Sequence, residues 1–227
     1  LAIRIKGPKM KAVVCLPTRN EKDSIQTMID SIKKLKLPLF ISDENSTDGT
    51  IAIAEKNKVS VYQRDGKGKG YGMRKAVEVA KKLGYDVLVT IDCDCTYPSG
   101  KIPDLLRAID EGAGMVIGVR NVKNIRKRHR LPNLVHTWAI NLFFFRLFGN
   151  QLNDINSGMR AFRLGKIRQF KSKGFDIEAE ITIRAIKDGL TIREIPVAYE
   201  KRVGESKIRI NDGFSILWRI IKERFLP

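Results

Sequence analysis

The sequence is poor in the features that mark membrane-spanning, disulfide-rich and zinc-binding proteins. No run of about 18 apolar residues occurs, so no segment is expected to cross a bilayer unaided. Only three cysteines are present in 227 residues, Cys15, Cys93 and Cys95, and all lie in or beside predicted strands. Cys93 and Cys95 are too close for an easy disulfide, and no second ligand pair for zinc accompanies them. Reduced thiols in a cytoplasmic protein are therefore expected.

The N-terminal residues lack the apolar core of a secretion signal. Residues 1–10 carry Arg4, Lys6 and Lys9 and end at Met10, which is a candidate for the natural start. We therefore interpret residues 1–10 as an N-terminal extension and expect no secretion signal.

Acidic residues are scarce relative to basic ones. The chain has 43 Lys and Arg against 25 Asp and Glu, a net charge of +18 at pH 7. Such an excess indicates a polyanionic partner: nucleic acid, an acidic membrane surface or a phosphorylated substrate. A nucleic-acid-binding module is disfavoured because neither the aromatic-rich sheet of an RNA-recognition domain nor zinc-finger spacing occurs. With 43% hydrophobic and 30% charged residues, the composition is otherwise typical of one folded domain.

Short apolar segments alternate with helical ones along most of the chain. Strands are predicted at 11–16, 38–42, 59–63, 87–91, 114–119, 157–163 and 191–199, with helices between most of them. Pro17 is expected to end the first strand. The alternation predicts right-handed parallel crossovers, and therefore an α/β fold with a mainly parallel central sheet flanked by helices.

Two carboxylates follow the fourth predicted strand. The apolar run 87–91 predicts a strand buried on both faces, and Asp92, Cys93 and Asp94 come directly after it. At the carboxyl end of a central strand, an Asp-x-Asp pair can hold a hard divalent cation, which can in turn bridge a diphosphate. Two turn-forming aspartates that cap a loop are the alternative, and the spacing alone does not separate the two interpretations.

A glycine-rich basic segment, residues 64–74, follows the third strand. It is not a Walker loop, which needs Gly-Lys-Ser/Thr, and it is not a first-turn dinucleotide fingerprint. A mobile basic hairpin is one interpretation. The other, which we favour, is that backbone amides at the start of the next helix lie near phosphate groups together with Lys67, Lys69 and Arg74.

A cationic run at residues 120–130 precedes an aromatic segment at 131–148, in which Arg146 is the one charged residue. An 18-residue helix there would be ~27 Å long and apolar most of the way round. A buried core helix is one interpretation; an interfacial helix, with the cations meeting lipid phosphates, is slightly favoured. A second amphipathic helix is predicted at 211–227, with these residues on roughly one stripe: Phe214, Leu217, Trp218, Ile221 and Phe225.

Short polar motifs follow several of the predicted strands, in a fixed order along the chain. They are Leu-Pro-Thr-Arg-Asn-Glu at 16–21, Asp-Glu-Asn-Ser-Thr-Asp-Gly-Thr at 43–50, Gly-Lys-Gly at 68–70, Asp-Cys-Asp at 92–94, Asn-Ser-Gly-Met-Arg-Ala-Phe-Arg at 156–163 and Tyr-Glu-Lys-Arg-Val-Gly-Glu-Ser-Lys at 199–207. In this order they resemble the motifs of family 2 glycosyltransferases with the GT-A fold. The last two are similar to motifs of the dolichyl-phosphate mannosyltransferase, or polyprenyl-phosphate glycosyltransferase, branch. The resemblance implies a single GT-A domain over residues 1–227.

The resemblance also implies roles for individual residues. Nucleotide-sugar binding is implied for Pro17, Arg19, Glu21, Asp43, Lys69, Asp92, Cys93, Asp94, Thr96, Arg120, Arg202 and Lys207. Asp92 and Asp94 would hold Mg²⁺ or Mn²⁺, and Asp43 would read the base edge or the ribose. Arg120, Arg202 and Lys207 would surround the donor diphosphate and the acceptor phosphate. The catalytic residues would be Asp94, Arg120 and Arg202.

The chain departs from the family pattern in several places. Glu44 stands where the second Asp of the early pair is expected, and Thr96 stands where the mannosyl branch often has Gln. Arg130 is the nearest counterpart of a basic residue that the branch places early in the aromatic helix. The C-terminal membrane spans frequent in the family have no counterpart here, so any membrane contact is expected to be peripheral, at the cytoplasmic face.

The implied reaction moves a sugar from GDP-mannose or a UDP-hexose to a polyprenyl or dolichyl monophosphate. A phosphate monoester has a second pKa of ~6 and needs little help from a general base, so electrostatic catalysis is expected. Transfer to a glycan or protein hydroxyl is the alternative, and it would need a general base. Structural ion pairs are the expected role for Glu178 and Glu180; Asp154 and Asp176 are further acids near the later motifs.

Overall fold

The computed structural model describes residues 10–121, 131–167, 170–204 and 210–225. The strands are β1 (Ala12–Thr18), β2 (Leu39–Asp43), β3 (Ser60–Gln63), β4 (Val87–Thr90), β5 (Met115–Arg120), β6 (Arg160–Arg163) and β7 (Ile192–Val197). The helices are α1 (Lys22–Lys33), α2 (Thr50–Lys56), α3 (Lys69–Lys82), α4 (Ile102–Asp110), α5 (Leu131–Phe148), α6 (Ile177–Lys187) and α7 (Ile210–Phe225). Each predicted strand and helix is present, with ends displaced by a few residues.

The strands form one seven-stranded sheet in the order β3-β2-β1-β4-β6-β5-β7. β1 pairs in parallel with β2 and β4, β2 with β3, and β5 with β7. β6 runs antiparallel to both of its neighbours, β4 and β5. The prediction of a mainly parallel sheet is confirmed. The reversal of β6 was not predicted, because an apolar pattern indicates where a strand lies and not which way it runs.

β1 and β4 lie where the chain changes direction across the sheet. β1, β2 and β3 follow one another toward one edge, and the chain then returns to place β4 on the other side of β1. In open α/β sheets, ligands bind in the crevice outside the carboxyl ends of strands at such a switch point. The residues that follow β4, from Ile91 onward, are therefore placed at this crevice, beside the end of β1.

Pro17 lies inside β1 and does not end it. Beyond Cys15, β1 has a ladder partner on one side alone, because β4 pairs with it only as far as Thr90 opposite Cys15. On the other side Pro17 lies opposite Ser42 of β2. Proline is tolerated where no ladder hydrogen bond needs its missing N–H, and the free side of β1 meets that condition.

Helices cover both faces of the sheet. α1 and α4 bury Ile25, Ile29 and Leu105 against one face, and α3 and α6 bury Met73 and Ile181 against the other. All four β4 residues are buried, as predicted for a strand covered on both faces. Burial of each such aliphatic side chain contributes about 1.5–3 kcal/mol, so this two-sided core is what holds the crevice-bordering strand ends in place.

α5 and α7 pack together beside α6, and each keeps an apolar side exposed. Their buried contacts form a smaller cluster that includes Phe144 of α5 and Ile220 of α7. The opposite sides expose large apolar residues: Trp138, Leu142 and Phe145 on α5, and Phe214, Trp218 and Phe225 on α7. α5 is thus neither fully buried nor fully exposed. Within the described part of the chain, no helix is long and apolar enough to cross a membrane.

Candidate active site

A cavity opens at the carboxyl ends of β1, β2 and β4. Its walls are formed by Pro17, Thr18, Arg19, Glu21, Glu44, Arg64, Gly68, Lys69, Asp92, Cys93, Asp94, Phe175 and Arg202. Among the residues predicted to bind a nucleotide sugar, the set that lines this cavity is Pro17, Arg19, Glu21, Lys69, Asp92, Cys93, Asp94 and Arg202. These come from segments nearly two hundred residues apart, so the fold assembles a single site from distant motifs.

Asp92 and Asp94 both line this cavity, and local hydrogen bonds fix the carboxylate of Asp94. Thr96 donates to Oδ1 of Asp94 from its backbone N–H (3.0 Å) and from its hydroxyl (2.5 Å). The intervening Cys95 has φ of 61°, which turns the chain sharply after Asp94. Thr96 is buried and is not one of the described residues along the cavity wall, and its observed role is to orient Asp94.

Lys69 lies between two carboxylates. Its Nζ is 2.8 Å from Oδ1 of Asp92 and 2.6 Å from Oε1 of Glu178, at the start of α6. Burial alone would lower the pKa of Lys69, but the charges and hydrogen bonds of Asp92 and Glu178 outweigh it and raise that pKa well above its ordinary value. Burial would likewise raise the pKa of Asp92, yet Lys69 holds it below its ordinary value. Both groups are therefore charged at neutral pH.

Arg202 pairs with the other member of the carboxylate pair. Its NH2 is 2.6 Å from Oδ2 of Asp94. The segment that carries Arg202 is tied to the same loop by backbone hydrogen bonds, from Val203 N to Asp94 O (2.9 Å) and from Glu200 N to Thr96 O (2.8 Å). Lys207, predicted to act nearby, lies outside the described residues, as do residues 122–130 of the cationic run.

Glu44 also lines the cavity and was not predicted as a site residue. Its carboxylate is 3.0 Å from Arg19 NH1 and 2.9 Å from Arg64 NH1, and it accepts a hydrogen bond from Gly68 N (2.7 Å). Burial lowers the pKa of Arg64, and the charge of Glu44 partly offsets this. Glu44 thereby joins the ends of β1 and β3 to the glycine-rich loop. Its place in the 43–50 motif was the one sequence feature that could have indicated a role for Glu44 in the site.

Asp43 lies behind the cavity-lining residues, held by Thr18 and Ser46. It is fully buried and accepts hydrogen bonds from Thr18 Oγ1 (2.7 Å) and from the backbone N–H and hydroxyl of Ser46 (2.7 and 2.6 Å). Among the described residues it is not one of those that line the cavity, although its partner Thr18 is, and its role toward the base or ribose stays a prediction. Asp43 instead shapes the 43–50 turn, which presents Glu44.

Arg120 ends β5 and is clamped by Asp154. Arg120 Nε and NH2 are each 2.6 Å from a carboxylate oxygen of Asp154, and the guanidinium lies 5.5 Å from the ring centre of Tyr199. Burial would lower the pKa of Arg120, but Asp154 raises it well above its ordinary value. Arg120 does not line the cavity that Asp92 and Asp94 line. It lies on the β5 side of the site, with one charged partner already bound.

The glycine-rich loop packs backbone to backbone against residues 172–174. A Cβ on Gly68, whose φ is +112°, would lie 2.3 Å from the carbonyl oxygen of Lys173, and one on Gly70 would lie 2.2 Å from that of Ser172. Arg74 donates to Ser172 O (2.6 Å) and stacks over Tyr71, so it braces the loop. Only glycine at these two positions permits the loop backbone to lie so close to residues 172–174. This close packing places Lys69, between the two glycines, at the cavity.

The carboxylate pair fits a divalent cation. Among the described residues, no cluster of three or more His, Cys, Asp and Glu is arranged around one metal position. Mg²⁺, however, is usually held by one or two carboxylates, with its other oxygen ligands supplied by substrate phosphates and water. Asp92 and Asp94 provide that number of carboxylates at the cavity wall. The arrangement can therefore bind a diphosphate through a cation and through Lys69 and Arg202.

Comparison with known proteins agrees with this geometry. Residues 13–171 match the family described as glycosyl transferase family 2. The chain is 29% identical to a polyprenol monophosphomannose synthase of Mycolicibacterium smegmatis, over 88% of this chain and 82% of that protein. It is 32% identical to an undecaprenyl-phosphate mannosyltransferase of Micrococcus luteus, over 88% of each. A solved structure of glucosyl-3-phosphoglycerate synthase from Mycobacterium tuberculosis, with Mn²⁺, uridine diphosphate and glucosyl-3-phosphoglycerate, has a TM-score of 0.75 at 19% identity, covering 96% of this chain and 81% of that one.

The structural likeness confirms the expected GT-A fold. The family match covers well over half of the chain and includes the Asp92 and Asp94 motif, the glycine-rich loop and the 156–163 motif. The chain belongs to glycosyl transferase family 2.

Proposed function

We propose that the protein is an inverting glycosyltransferase that moves a sugar from a nucleotide sugar to a polyprenyl or dolichyl monophosphate. The observation that carries this proposal is the meeting of Asp92 and Asp94 with Lys69 and Arg202 at the switch-point crevice. Two relatives named as polyprenol or undecaprenyl-phosphate mannosyl enzymes, each matched over 88% of this chain, support the lipid phosphate as acceptor. Mannose from GDP-mannose and a hexose from a UDP-hexose both agree with these features.

The donor is proposed to lie along the cavity, with its nucleoside between Pro17, Arg19 and Glu21 and its diphosphate at Asp92 and Asp94. A Mg²⁺ or Mn²⁺ ion held by the two aspartates would neutralise charge on the leaving diphosphate. Lys69 and Arg202 add fixed positive charge at the same place, which stabilises the diphosphate as it leaves.

The acceptor phosphate is proposed to enter from the side of Arg120, Arg202 and Lys207. A phosphate oxygen attacks the anomeric carbon, and the bond from that carbon to the donor diphosphate breaks. The configuration at the anomeric carbon is thereby inverted. Because the monoester, with a second pKa of ~6, is mostly ionised at neutral pH, no side chain has to remove a proton. The arginines contribute by orienting the two anions in line and by screening their repulsion.

The exposed apolar sides of α5 and α7 are proposed to rest on the membrane that holds the lipid acceptor, at its cytoplasmic face. Trp138 and Trp218 are 66% and 62% exposed, and aromatic residues favour the headgroup level of bilayers. Arg146, Lys222 and Arg224 are exposed on the same two helices and can pair with acidic lipids. The contact is peripheral, and the net charge of +18 is assigned to lipid and substrate phosphates, with no nucleic acid.

The test is transfer of labelled sugar from a panel of nucleotide sugars into a polyprenyl phosphate, followed by solvent extraction. We expect extractable label from one donor, dependent on Mg²⁺ or Mn²⁺, and no transfer by Asp94→Ala. Metal-independent turnover by that variant would refute the role of the aspartate pair. Transfer to a glycan or protein hydroxyl, with a bell-shaped pH profile lost on replacing one carboxylate, would refute the phosphate acceptor.

A further inference from the structure

The two aspartates proposed to hold the cation each contact a basic side chain of the protein itself. Lys69 Nζ is 2.8 Å from Asp92 Oδ1, and Arg202 NH2 is 2.6 Å from Asp94 Oδ2. The Asp94 and Arg202 side chains are 3% and 26% exposed, and those of Asp92 and Lys69 are 24% and 15% exposed. At such partly buried positions, an ion pair is screened far less than one on an open surface.

Glu178 gives Lys69 a second anionic partner. The Lys69 Nζ to Glu178 Oε1 distance is 2.6 Å, and the Glu178 side chain is 4% exposed. A buried charge that loses its partner is costly, so an ammonium held by one carboxylate alone could not easily give it up. With Glu178 in place, Lys69 stays paired while Asp92 binds another cation. Glu178 is therefore a positioning residue and not only a structural ion pair.

The backbone at Arg202 is likewise held in place by hydrogen bonds that do not involve its guanidinium group. The backbone bonds from Val203 N to Asp94 O and from Glu200 N to Thr96 O fix the segment on both sides of it. A side-chain rotation, with no movement of the segment, is sufficient to direct Arg202 from Asp94 toward a ligand in the cavity that both residues line.

We propose that Lys69 and Arg202 are internal counter-ions of the aspartate pair, so that a divalent cation and the donor diphosphate bind strongly only together. A cation binding alone has to displace both basic groups and leaves them beside like charge. A diphosphate binding with it offers those groups new anionic partners. By linkage, the cation strengthens diphosphate binding by the same factor. This inference rests on the proposed function, since it takes the aspartates as the cation site.

The experiment measures Mn²⁺ affinity of the purified protein by calorimetry or by the electron paramagnetic resonance of free Mn²⁺, with and without GDP or UDP. For the wild type we expect whichever of GDP and UDP the protein binds to raise its affinity for Mn²⁺ about 5- to 150-fold. Lys69→Met should bind Mn²⁺ alone more tightly than the wild type and show a smaller enhancement by diphosphate. Lys82→Met is the matched control: it removes an exposed lysine at the far end of α3, the helix that begins with Lys69, and should change neither quantity.

Lys69→Met leaves Glu178 without its ammonium partner. We therefore also measure the double variant Lys69→Met/Glu178→Gln, which has the net charge of the wild type. Arg202→Met is measured in parallel. Both should show the same tighter binding of Mn²⁺ alone and the same reduced enhancement. Two results would overturn the inference without affecting the proposed cation site. One is a wild-type Mn²⁺ affinity that is the same with and without the diphosphate. The other is variants that bind Mn²⁺ alone no more tightly than the wild type. Mn²⁺ binding that survives Asp94→Ala unchanged would instead remove the proposed cation site itself.

Discussion

Asp92 packs directly against the backbone of Gly158: a Cβ on Gly158 would lie 2.0 Å from Asp92 Oδ2. Gly158 is held in turn by its N–H, which donates to the hydroxyl of Tyr97 (2.9 Å), and the neighbouring Ser157 Oγ donates to Gly118 O (2.6 Å). The 156–163 motif therefore forms a fixed wall behind the first aspartate. This contact gives the glycine of that motif a role in positioning Asp92.

Gly158→Ala is expected to displace the Asp92 carboxylate and to lower transfer about 100-fold, since a misplacement of ~1 Å can cost that much. Measurement of kcat alongside thermal unfolding separates the effect from general destabilisation. Gly165→Ala is the control, because a Cβ there meets nothing within 4 Å. A Gly158→Ala enzyme as active as that control would show that Asp92 tolerates displacement.

Asp154→Asn is expected to weaken the hold on Arg120 and to destabilise the fold by about 3 kcal/mol, because it leaves a largely buried guanidinium without its carboxylate. The KM for the lipid phosphate should rise as Arg120 loses its orientation. Urea unfolding and initial rates measure the two effects. The same substitution at Asp104, whose ion pairs are more exposed, should cost at most about 1 kcal/mol. Equal effects at the two positions would contradict the clamp.

The aspartate pair could be placed from the residues alone because it directly follows a buried strand, and the carboxyl ends of parallel strands meet at one edge of a sheet. Asp92 and Asp94 line the cavity as that position indicated, Lys69 lines it as expected of the glycine-rich segment, and Pro17 and Arg19, implied by the family resemblance, line it too. The family order of the motifs placed Arg202 there as well, although its segment and the aspartates are more than one hundred residues apart.

Contacts that depend on the direction of a side chain could not be predicted from the sequence. The family resemblance implied a site role for Asp43, but of the two adjacent acids it is Glu44 that lines the cavity, while Asp43 bonds to Thr18 behind it. Glu178 was expected to form a structural ion pair; it does form an ion pair, and its partner, Lys69 of α3, was not predicted. Neither outcome has a local signal, because both depend on long-range packing.

Glu44→Asp is expected to raise the KM for the nucleotide sugar about tenfold with a smaller change in kcat. The shorter carboxylate cannot reach Arg19, Arg64 and Gly68 N at once, and loss of one charged hydrogen bond costs about 1.5–3 kcal/mol. Initial rates over a range of donor concentration provide the measurement. Glu55→Asp, on the exposed side of α2, serves as control. An unchanged donor KM would mean that the loop adjusts to the shorter side chain.

The stabilisation by Asp48 is expected to depend on pH. Asp48 accepts hydrogen bonds from Lys22 N (2.9 Å) and from Thr50 N and Oγ1 (3.0 and 2.6 Å). Burial would raise the pKa of Asp48, but these bonds hold it below its ordinary value of 3.8. Its contribution is therefore fully present above pH 3.8 and is lost as pH falls through the lower folded-state pKa.

Asp48→Asn should accordingly cost about 1 kcal/mol of unfolding free energy at pH 5 and at pH 7, because the amide keeps an oxygen for Thr50 but loses the one that accepts from Lys22 N. The difference from the wild type should shrink below pH 3.8. Urea unfolding across this range tests the prediction, and a difference that is as large at pH 3 as at pH 7 would contradict it.

Replacing both Trp138 and Trp218 by alanine is expected to weaken binding to vesicles containing acidic lipid by about 100-fold or more. Each aromatic side chain that leaves water for the interface contributes about 1.5–3 kcal/mol, and 1.4 kcal/mol is a factor of ten. Both side chains are exposed, so their loss should leave the melting temperature and transfer to a short, water-soluble polyprenyl phosphate nearly unchanged. Vesicle sedimentation with and without phosphatidylglycerol separates the aromatic contribution from that of the cations.

Leu83→Ala is the matched control for that pair, because Leu83 is 51% exposed at the end of α3, outside both aromatic helices. It should bind vesicles like the wild type. If the double tryptophan variant also binds like the wild type while salt abolishes binding of both, cations alone hold the protein on the membrane. The exposed sides of α5 and α7 would then need a different occupant, and the lipid phosphate would have to reach Arg120 and Arg202 without an aromatic anchor beside it.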